Sequence, residues 1–195
     1  LILSLMLVVG AFLINSVTAF NLVDFYTQMS EVFDDPLLYH DLTTQTEGEE
    51  DGVAMLSQVL DAYLGELGVD DRNRRLYILD GNGVCLNAPE GEEPQLNYTE
   101  NLLFVLNTGL ETGQVGDESN LALDYMDLAV PIHRGEEAYI IYILDNKATV
   151  NNLTNQMFVL IVEALIFGLL ISILLSFLLS KTIVTPIQKL TEGAM

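Results

Sequence analysis

Residues 157–179 read MFVLIVEALIFGLLISILLSFLL, an apolar run whose only charged residue is Glu163. A helix rises about 1.5 Å per residue, so a run of this length can cross a hydrocarbon core of roughly 30 Å. Residues 1–20 form a second apolar run, and neither run contains proline. We therefore predict two transmembrane helices, over 1–20 and 157–180, that flank a domain at 21–156.

The first apolar run has an alternative interpretation. Val17-Thr18-Ala19 is similar to the small-residue cleavage site of a secretory signal peptide, so the run could be removed from the mature protein. The chain starts at Leu1 and stops at Met195 inside a helical pattern, from which we expect a fragment of a longer receptor.

Charge is distributed very unevenly along the chain, whose formal net charge is −21. Of the 28 acidic residues, all but Glu163 and Glu192 lie within 21–156. Lys181 and Lys189 follow the second apolar run, and basic residues beside a span favour the cytoplasmic side. We therefore expect a two-pass protein of the cell membrane with 21–156 outside and the C-terminus in the cytoplasm. So acidic a domain argues against nucleic acid as a partner.

Carboxylates cluster in two glycine-containing stretches, 47–51 and 90–93, that are typical of loops. One interpretation is a pair of solvated loops, and the other is a sensor of divalent cations or cationic peptides. The single cysteine, Cys85, excludes an intrachain disulfide and is predicted to be a buried, inert thiol in a strand.

Helix signals occur at four places between the ends of the chain. The first long helix is predicted to leave the membrane and to end at Asp35-Pro36, because the residue before proline disfavours helix. After a polar connector, Asp51 can cap a helix that ends near Gly68. A short helix is predicted over 98–107, and Asp145 or Asn146 can cap the helix that enters the second span.

Two β-hairpins are predicted between these helices. The first pairs 76–79 with 84–86 across Asp80-Gly81-Asn82-Gly83, residue types that accept the positive φ angles of tight turns. The second pairs 121–132 with 138–144 across a turn at 133–136. The fold class is therefore α+β, with an antiparallel sheet on which helices pack.

Two stretches of this domain carry a resemblance to a known family. They read RRLYILDGNGV at 74–84 and DLAVPI at 127–132. With the order of elements above, they resemble the extracellular Cache or PAS-like sensor domains of bacterial receptors. The resemblance covers roughly 21–156 and implies a ligand pocket on the sheet face, with Tyr125 and Asp127 as candidate pocket residues.

A second resemblance follows the second span, where 180–195 read SKTIVTPIQKLTEGAM. This stretch is similar to the start of a HAMP linker (181–195), whose Pro-Ile-x-x-Leu pattern falls on Pro186, Ile187 and Leu190. Ile187, Leu190 and Ala194 are spaced by three and four, as in the seam of a parallel coiled coil, which predicts a homodimer. An ordinary juxtamembrane helix is the alternative interpretation.

No catalytic residues and no metal site are predicted. His40 and His133 are the only histidines, and neither has the spacing of a metal or nucleophilic site. Arg74 beside Tyr77 could hold a carboxylate ligand, since guanidinium groups bind carboxylates in a bidentate way. The alternative is that the arginines at 72–75 balance nearby acidic residues.

Glu163 is the one charged residue inside a predicted span. An intramembrane carboxylate is costly and faces a partner or water. We predict a role for Glu163 at a dimer interface or in signal transmission, together with Pro186, Ile187 and Leu190. The alternative is that its side chain reaches back to the membrane surface.

The resemblances imply a function that the residues alone do not. They indicate the sensor portion of a two-component histidine kinase, which detects a small molecule, a divalent cation or a cationic peptide outside the cell. ATP and Mg would serve the missing kinase module, a response regulator would be its partner, and the fragment itself would need no cofactor. A chemotaxis receptor, a cyclic-dinucleotide synthase and a membrane-anchored binding or adhesion module are the alternatives.

Overall fold

The computed structural model of the chain describes residues 2–44, 51–70, 72–88, 96, 98–108 and 123–184. By its internal contacts the chain divides into two compact units. One comprises 18–151, and the other combines residues from 1–17 with residues from 152–195.

The described residues form five α-helices and three strands, so the α+β class is confirmed. The helices are α1 (Ile2–Phe33), α2 (Pro36–Thr43), α3 (Gly52–Asp61), α4 (Glu100–Asn107) and α5 (Ala148–Leu179), and a π-helical turn follows over Ser180–Val184. The strands are β1 (Arg74–Asp80), β2 (Met126–Arg134) and β3 (Glu137–Asp145).

The strands form one antiparallel sheet in the order β1-β3-β2. Strands β2 and β3 make the second predicted hairpin, and Gly135 adopts a φ of 63° in its turn. Tyr142 of β3 is the register partner of both Tyr77 in β1 and Ala129 in β2. The centre of the sheet is therefore β3, the strand that leads into α5.

The first predicted hairpin forms in part, over a shorter pairing than 76–79 with 84–86. The turn is present, because the Asp80 carboxylate accepts hydrogen bonds from the backbone N–H groups of Asn82 and Val84. The returning chain pairs with β1 at one antiparallel bridge, between Leu79 and Cys85. Backbone hydrogen bonds flank this bridge, from the Asp80 N–H to the Val84 carbonyl at 2.9 Å and from the Leu86 N–H to the Ile78 carbonyl at 2.8 Å. The Asn87 side chain accepts a hydrogen bond from the Ile78 N–H at 2.9 Å and donates one to the Leu76 carbonyl at 3.3 Å. Beyond this short pairing, the amide side chain of Asn87 takes the place of a strand along β1.

Helix α2 lies where the sequence predicts the start of a polar connector. The Asp35 carboxylate accepts a hydrogen bond from the Leu37 N–H at 2.9 Å, and Pro36 occupies the first turn, where its missing N–H is no loss. At the other end, the buried Arg134 donates from Nη1 to the carbonyls of Asp41 and Leu42, both at 3.0 Å. These groups are the unpaired carbonyls of a helix C-terminus, so Arg134 stabilises α2 from the end of β2.

Helix α3 begins as predicted and ends earlier. The Asp51 carboxylate caps it by accepting from the N–H groups of Val53 and Ala54. Beyond Asp61 the backbone bonds change to a three-residue spacing, such as Tyr63 N–H to the Leu60 carbonyl, and the chain continues as turns to Gly68. Gly68 has a φ of 64°, which is favourable for glycine alone.

Both faces of the sheet are covered by apolar side chains. One face packs on the buried residues of α1, α2 and α3, and the other on those of α4. The first cluster includes Leu22, Phe25, Met29, Leu38, Leu56, Ile78 and Ile141, and the second includes Leu79, Leu102, Val105, Ile140 and Tyr142.

Two of the described helices are long and apolar enough to cross a membrane, over Ser4–Phe33 and Ala148–Thr182. In the unit that contains 2–17, a Cβ placed on Gly10 would lie 3.1 Å from a methyl group of Ile161. The absence of a side chain at Gly10 therefore lets α1 and α5 approach closely there.

The Arg134 contacts predict a measurable loss of stability in the Arg134→Met variant. A long apolar side chain keeps much of the packing and removes the charged donor from the two carbonyls of α2. We expect the free energy of unfolding to fall by about 1.5–3 kcal/mol. Tyrosine fluorescence during urea unfolding in detergent reports this domain, since all eight tyrosines lie within it.

Arg75→Met is the matched control. Arg75 is exposed on β1, so its replacement should change the unfolding free energy by no more than about 0.5 kcal/mol. Equal losses in the two variants would contradict the role of Arg134 at α2.

Candidate functional site

The candidate site lies on the sheet face that α4 covers, around the carboxylate of Asp127. Asp127 is 1% exposed. Its Oδ2 accepts hydrogen bonds from the Tyr142 hydroxyl at 3.1 Å and from the Thr99 hydroxyl, and its Oδ1 accepts from Asn101 Nδ2 at 2.7 Å. Three side chains thus converge on one buried carboxylate.

The start of α4 positions two of these donors. Thr99 is the N-cap, and its Oγ1 accepts a hydrogen bond from the Leu102 N–H at 3.3 Å while its hydroxyl reaches Asp127. Asn101 lies in the first turn. The N-terminus of a helix carries partial positive charge, so this end of α4 favours a carboxylate beside it.

Three tyrosines lie on the same side of the sheet as this carboxylate or interact with it. Tyr142 stacks on Tyr77 with ring centroids 6.3 Å apart, so the predicted site residue Tyr77 lies on the same face as Asp127. Burial first, and then the charge of Asp127, raises the pKa of Tyr142 well above its ordinary value. The pKa of Tyr125 is raised by the same two causes and by Glu100. Both phenols therefore stay neutral near pH 7.

The predicted site residue Arg74 lies away from this group. Its Nε contacts Asp145 Oδ2 at 2.9 Å, and its Nη1 donates to Gln28 Oε1 at 2.8 Å and to the Leu67 carbonyl at 2.7 Å. The guanidinium also lies over the Phe25 ring, 4.8 Å from its centroid. The carboxylate that Arg74 binds in the structure is thus Asp145, on the face covered by α1.

The carboxylate of Asp70 binds the backbone of the residues that lead into Arg74. Its Oδ1 accepts from the backbone N–H groups of Arg72, Asn73 and Arg74. These backbone bonds, led by the one from Arg74, lower the pKa of Asp70 below its ordinary value. The carboxylate is therefore ionised at neutral pH and fixes the first residue of β1.

A second polar cluster joins β3 to α5. Asp145 Oδ1 accepts from the Lys147 N–H at 2.7 Å while Oδ2 binds Arg74. Asn146 donates its N–H to the Asn73 carbonyl at 2.9 Å, and its Oδ1 accepts from the Ala148 N–H at 2.9 Å. The first turn of α5 is therefore tied to the start of β1.

Lys147 departs from ordinary backbone and burial preferences. It is the non-glycine residue with positive φ in the described chain, at 52°, and it is only 3% exposed. Its Nζ donates to the Leu123 carbonyl at 2.7 Å. Burial lowers the pKa of this amine, and the charges of Asp124 and Asp145 oppose that shift.

The remaining predicted residues fall elsewhere. Glu163 lies in α5 with its side chain exposed. The predicted HAMP residues Pro186, Ile187 and Leu190 lie outside the described residues, as do both acidic loops apart from Asp51. Among the described residues, no three His, Cys, Asp or Glu side chains are grouped so as to hold a metal ion.

Sequence reasoning missed Thr99, Asn101, Tyr142 and Lys147. Thr99 had a usable signal, because a threonine directly before an apolar helical pattern is a typical N-cap. Asn101 had none, since it reaches Asp127 across 26 residues of sequence. The role of Lys147 depends on Leu123, which is distant along the chain and lies outside any regular element.

The fold and the site define an α+β domain with a three-stranded antiparallel sheet, carried by a chain that has two helices long and apolar enough to cross a membrane. No protein-family model, curated protein or solved structure matches the chain. The resemblance to Cache or PAS-like sensors therefore stays a prediction from the sequence.

The network around Asp127 predicts that Tyr142→Phe destabilises the domain. The variant keeps the ring and its stacking on Tyr77 but removes one donor from a buried carboxylate, which costs about 1–3 kcal/mol. Urea unfolding in detergent, followed by circular dichroism, measures the change. Tyr98→Phe is the control, because Tyr98 is 51% exposed and its hydroxyl makes one long hydrogen bond of 3.4 Å. Equal stabilities of Tyr142→Phe and the unaltered protein would contradict the network.

Proposed function

We propose that this chain is the receiving part of a two-pass membrane receptor, in which the domain at 18–151 binds a ligand outside the cell and α5 carries the response through the membrane. The length and composition of the two apolar helices support the membrane part of this proposal. The basic residues after the second run support a cytoplasmic C-terminus.

The observation that carries the proposal is the junction between β3 and α5. A residue with a side chain pays a conformational cost in the left-handed region, and such strain persists where the surrounding structure fixes it. Lys147 adds the cost of a buried ammonium group. A glycine or asparagine would adopt this backbone conformation at lower cost. We therefore infer that Lys147 is present for its link between β3 and α5, and not for the stability of the domain.

The Lys147 side chain links this junction to the candidate site. Its acceptor, the Leu123 carbonyl, belongs to the same short segment as Tyr125 and Asp127. A ligand that displaces 123–127 would therefore move the acceptor of Lys147, the residue directly before α5. The energy must come from a difference in ligand affinity between the two arrangements of the segment.

The chemistry of the site favours a cationic ligand. A buried carboxylate bound by Tyr142, with Tyr77 stacked on that ring, attracts positive charge, both directly and through the quadrupole of each ring. The net charge of −21 would raise the local concentration of cations around the domain. An ammonium-bearing small molecule, a divalent cation and a cationic peptide all fit this description, and Arg74 is occupied by Asp145.

The output that we propose follows from the HAMP-like resemblance alone. It would be a histidine kinase that uses ATP and Mg and passes its phosphoryl group to a response regulator, with the receptor acting as a homodimer. The sequence beyond Met195 tests this directly. A phosphoacceptor helix with a His-Glu-x-x-x-Pro pattern supports the kinase, and a long heptad hairpin supports a chemotaxis receptor instead.

The membrane arrangement predicts opposite sidedness for two exposed positions. In a Cys85→Ser background, Arg75→Cys should react with a membrane-impermeant maleimide on intact cells. Lys181→Cys, just beyond α5, should react only after the cells are permeabilised. Both residues are exposed, so accessibility within the protein is matched. Labelling of both positions from the same side would show that α5 does not cross the membrane.

The coupling predicts that Lys147→Met loosens two segments at once. Methionine keeps an apolar stem and removes the hydrogen bond to Leu123, a charged bond worth about 1.5 kcal/mol. We expect amide hydrogen exchange to rise about tenfold in 123–127 and in the first turn of α5. Mass spectrometry of the full chain in detergent measures both segments.

Glu136→Gln, in the exposed turn between β2 and β3, is the control and should leave both rates unchanged. Faster exchange in 123–127 with an unchanged first turn of α5 would contradict the coupling.

A further inference from the structure

Helix α5 has one face that packs on α1. Within the unit that contains 152–184, the partly buried residues recur at three- and four-residue steps, and Gly10 of α1 approaches the middle of this stripe at Ile161. The stripe comprises Thr154, Met157, Ile161, Leu165 and Gly168. Successive helical residues are about 100° apart, so these positions mark a single side of α5.

Glu163 lies on the other side. It is two residues beyond Ile161, which places it roughly 200° around the helix from the α1 contact. Its side chain is exposed in the structure, so α1 does not cover it. In a membrane this carboxylate would face lipid, where an ionisable group is costly unless it has a partner.

The length of the apolar run keeps Glu163 inside the membrane. If Glu163 lay at the outer surface, residues 164–180 would have to cross the bilayer alone. They would span about 25 Å, which is shorter than a hydrocarbon core of roughly 30 Å. Starting the span at Met157 meets the required length and leaves Glu163 about 9 Å inside it.

The residues on the Glu163 side follow a heptad pattern. Gln156, Glu163, Leu170 and Phe177 recur every seven residues, and Val159, Ile166 and Ile173 each follow three residues after a member of that series. All seven side chains are exposed. This is the spacing of the two seam positions of a coiled coil, and a polar residue in such a seam fixes register and oligomeric state.

We propose that this face of α5, which we call the Glu163 face, binds the same face of a second copy of the chain in the membrane. The inference rests on the proposed function, because it requires α5 to cross the bilayer. Two parallel copies related by a two-fold axis bring Glu163 to the same depth in both helices.

The carboxyl group itself favours a second copy over an unrelated partner. A carboxyl group that carries its proton is both donor and acceptor, so two such Glu163 side chains, each with its own proton, would hydrogen-bond to each other and leave no net charge in the membrane. Gln156, one heptad earlier, is also donor and acceptor and can pair in the same way. The contact with α1 lies on the opposite side of α5, so both contacts can exist together.

Cysteine cross-linking of the full chain in native membranes tests the proposal. In a Cys85→Ser background, Leu170→Cys lies on the Glu163 face, and Ile171→Cys lies about 100° away at nearly the same depth. Their side chains are 53% and 55% exposed, so the pair is matched. We expect disulfide-linked dimers from Leu170→Cys, and likewise from Ile166→Cys, with at least fivefold less from Ile171→Cys.

Variants of Glu163 complete the test. Glu163→Leu in the Leu170→Cys protein should weaken dimerisation about three- to tenfold, as expected for loss of a hydrogen bond between membrane helices. Glu163→Gln, which still donates and accepts, should keep it. Equal cross-linking at 170 and 171, none at either seam position, or no effect of Glu163→Leu would overturn the proposal.

Extraction of the same membranes at high pH distinguishes a failure of the dimer proposal from a failure of the proposed membrane receptor. A chain that stays in the membrane fraction but shows no preference for the Glu163 face contradicts the dimer alone. A chain that is released contradicts the membrane receptor as well.

Discussion

The ion pair between Arg74 and Asp145 is the contact on which the rest of the domain depends. It joins the first residue of β1 to the last residue of β3, at 2.9 Å, and only 15% and 11% of the two side chains is exposed. The same guanidinium binds Gln28 of α1 and the turn that follows α3. Loss of either partner would leave a half-buried charge without compensation, which is the costly way to break such a pair.

The pair also explains the arrangement at the end of the sheet. Asp145 uses one carboxylate oxygen for Arg74 and the other for the backbone of Lys147. The direction in which the chain leaves β3 is therefore set by a residue whose position is fixed by β1 and α1. The carboxylate of Asp127 is satisfied in the same way. Among the described residues, each buried side-chain nitrogen and oxygen has a hydrogen-bond partner. Satisfied polar groups of this kind specify one arrangement of a core and resist gradual deformation.

The extent to which the sequence predicts these features depends on how local their causes are. Three features follow from periodicity, cap residues and turn residues within a few positions of sequence. They are the hairpin of β2 and β3, the cap at Asp51 and helix α4. The first hairpin is shorter than predicted because the side chain of Asn87, a single amide, occupies the edge of β1, and no periodic pattern reports such a bond.

The candidate site shows the same limit more strongly. Tyr125 and Asp127 came from a family resemblance, and Tyr77 from its position beside the arginines. The residues that give the site its character, Thr99 and Tyr142, meet Asp127 across 28 and 15 positions of sequence. The sequence left Arg74 open between a ligand and nearby acidic residues, and in the structure it binds Asp145, which lies 71 residues away. Long-range partners of polar residues are not encoded in any local pattern, so an arginine cluster alone does not distinguish a binding site from an anchor.

Helix α5 has no interior break. It contains no proline, its one glycine is Gly168, and its backbone is helical from Ala148 to Leu179. The π-helical turn at Ser180–Val184 is the first departure from this regularity. A π-helical turn is wider than an α-helical one, so it changes the rotational phase of the helix at this point.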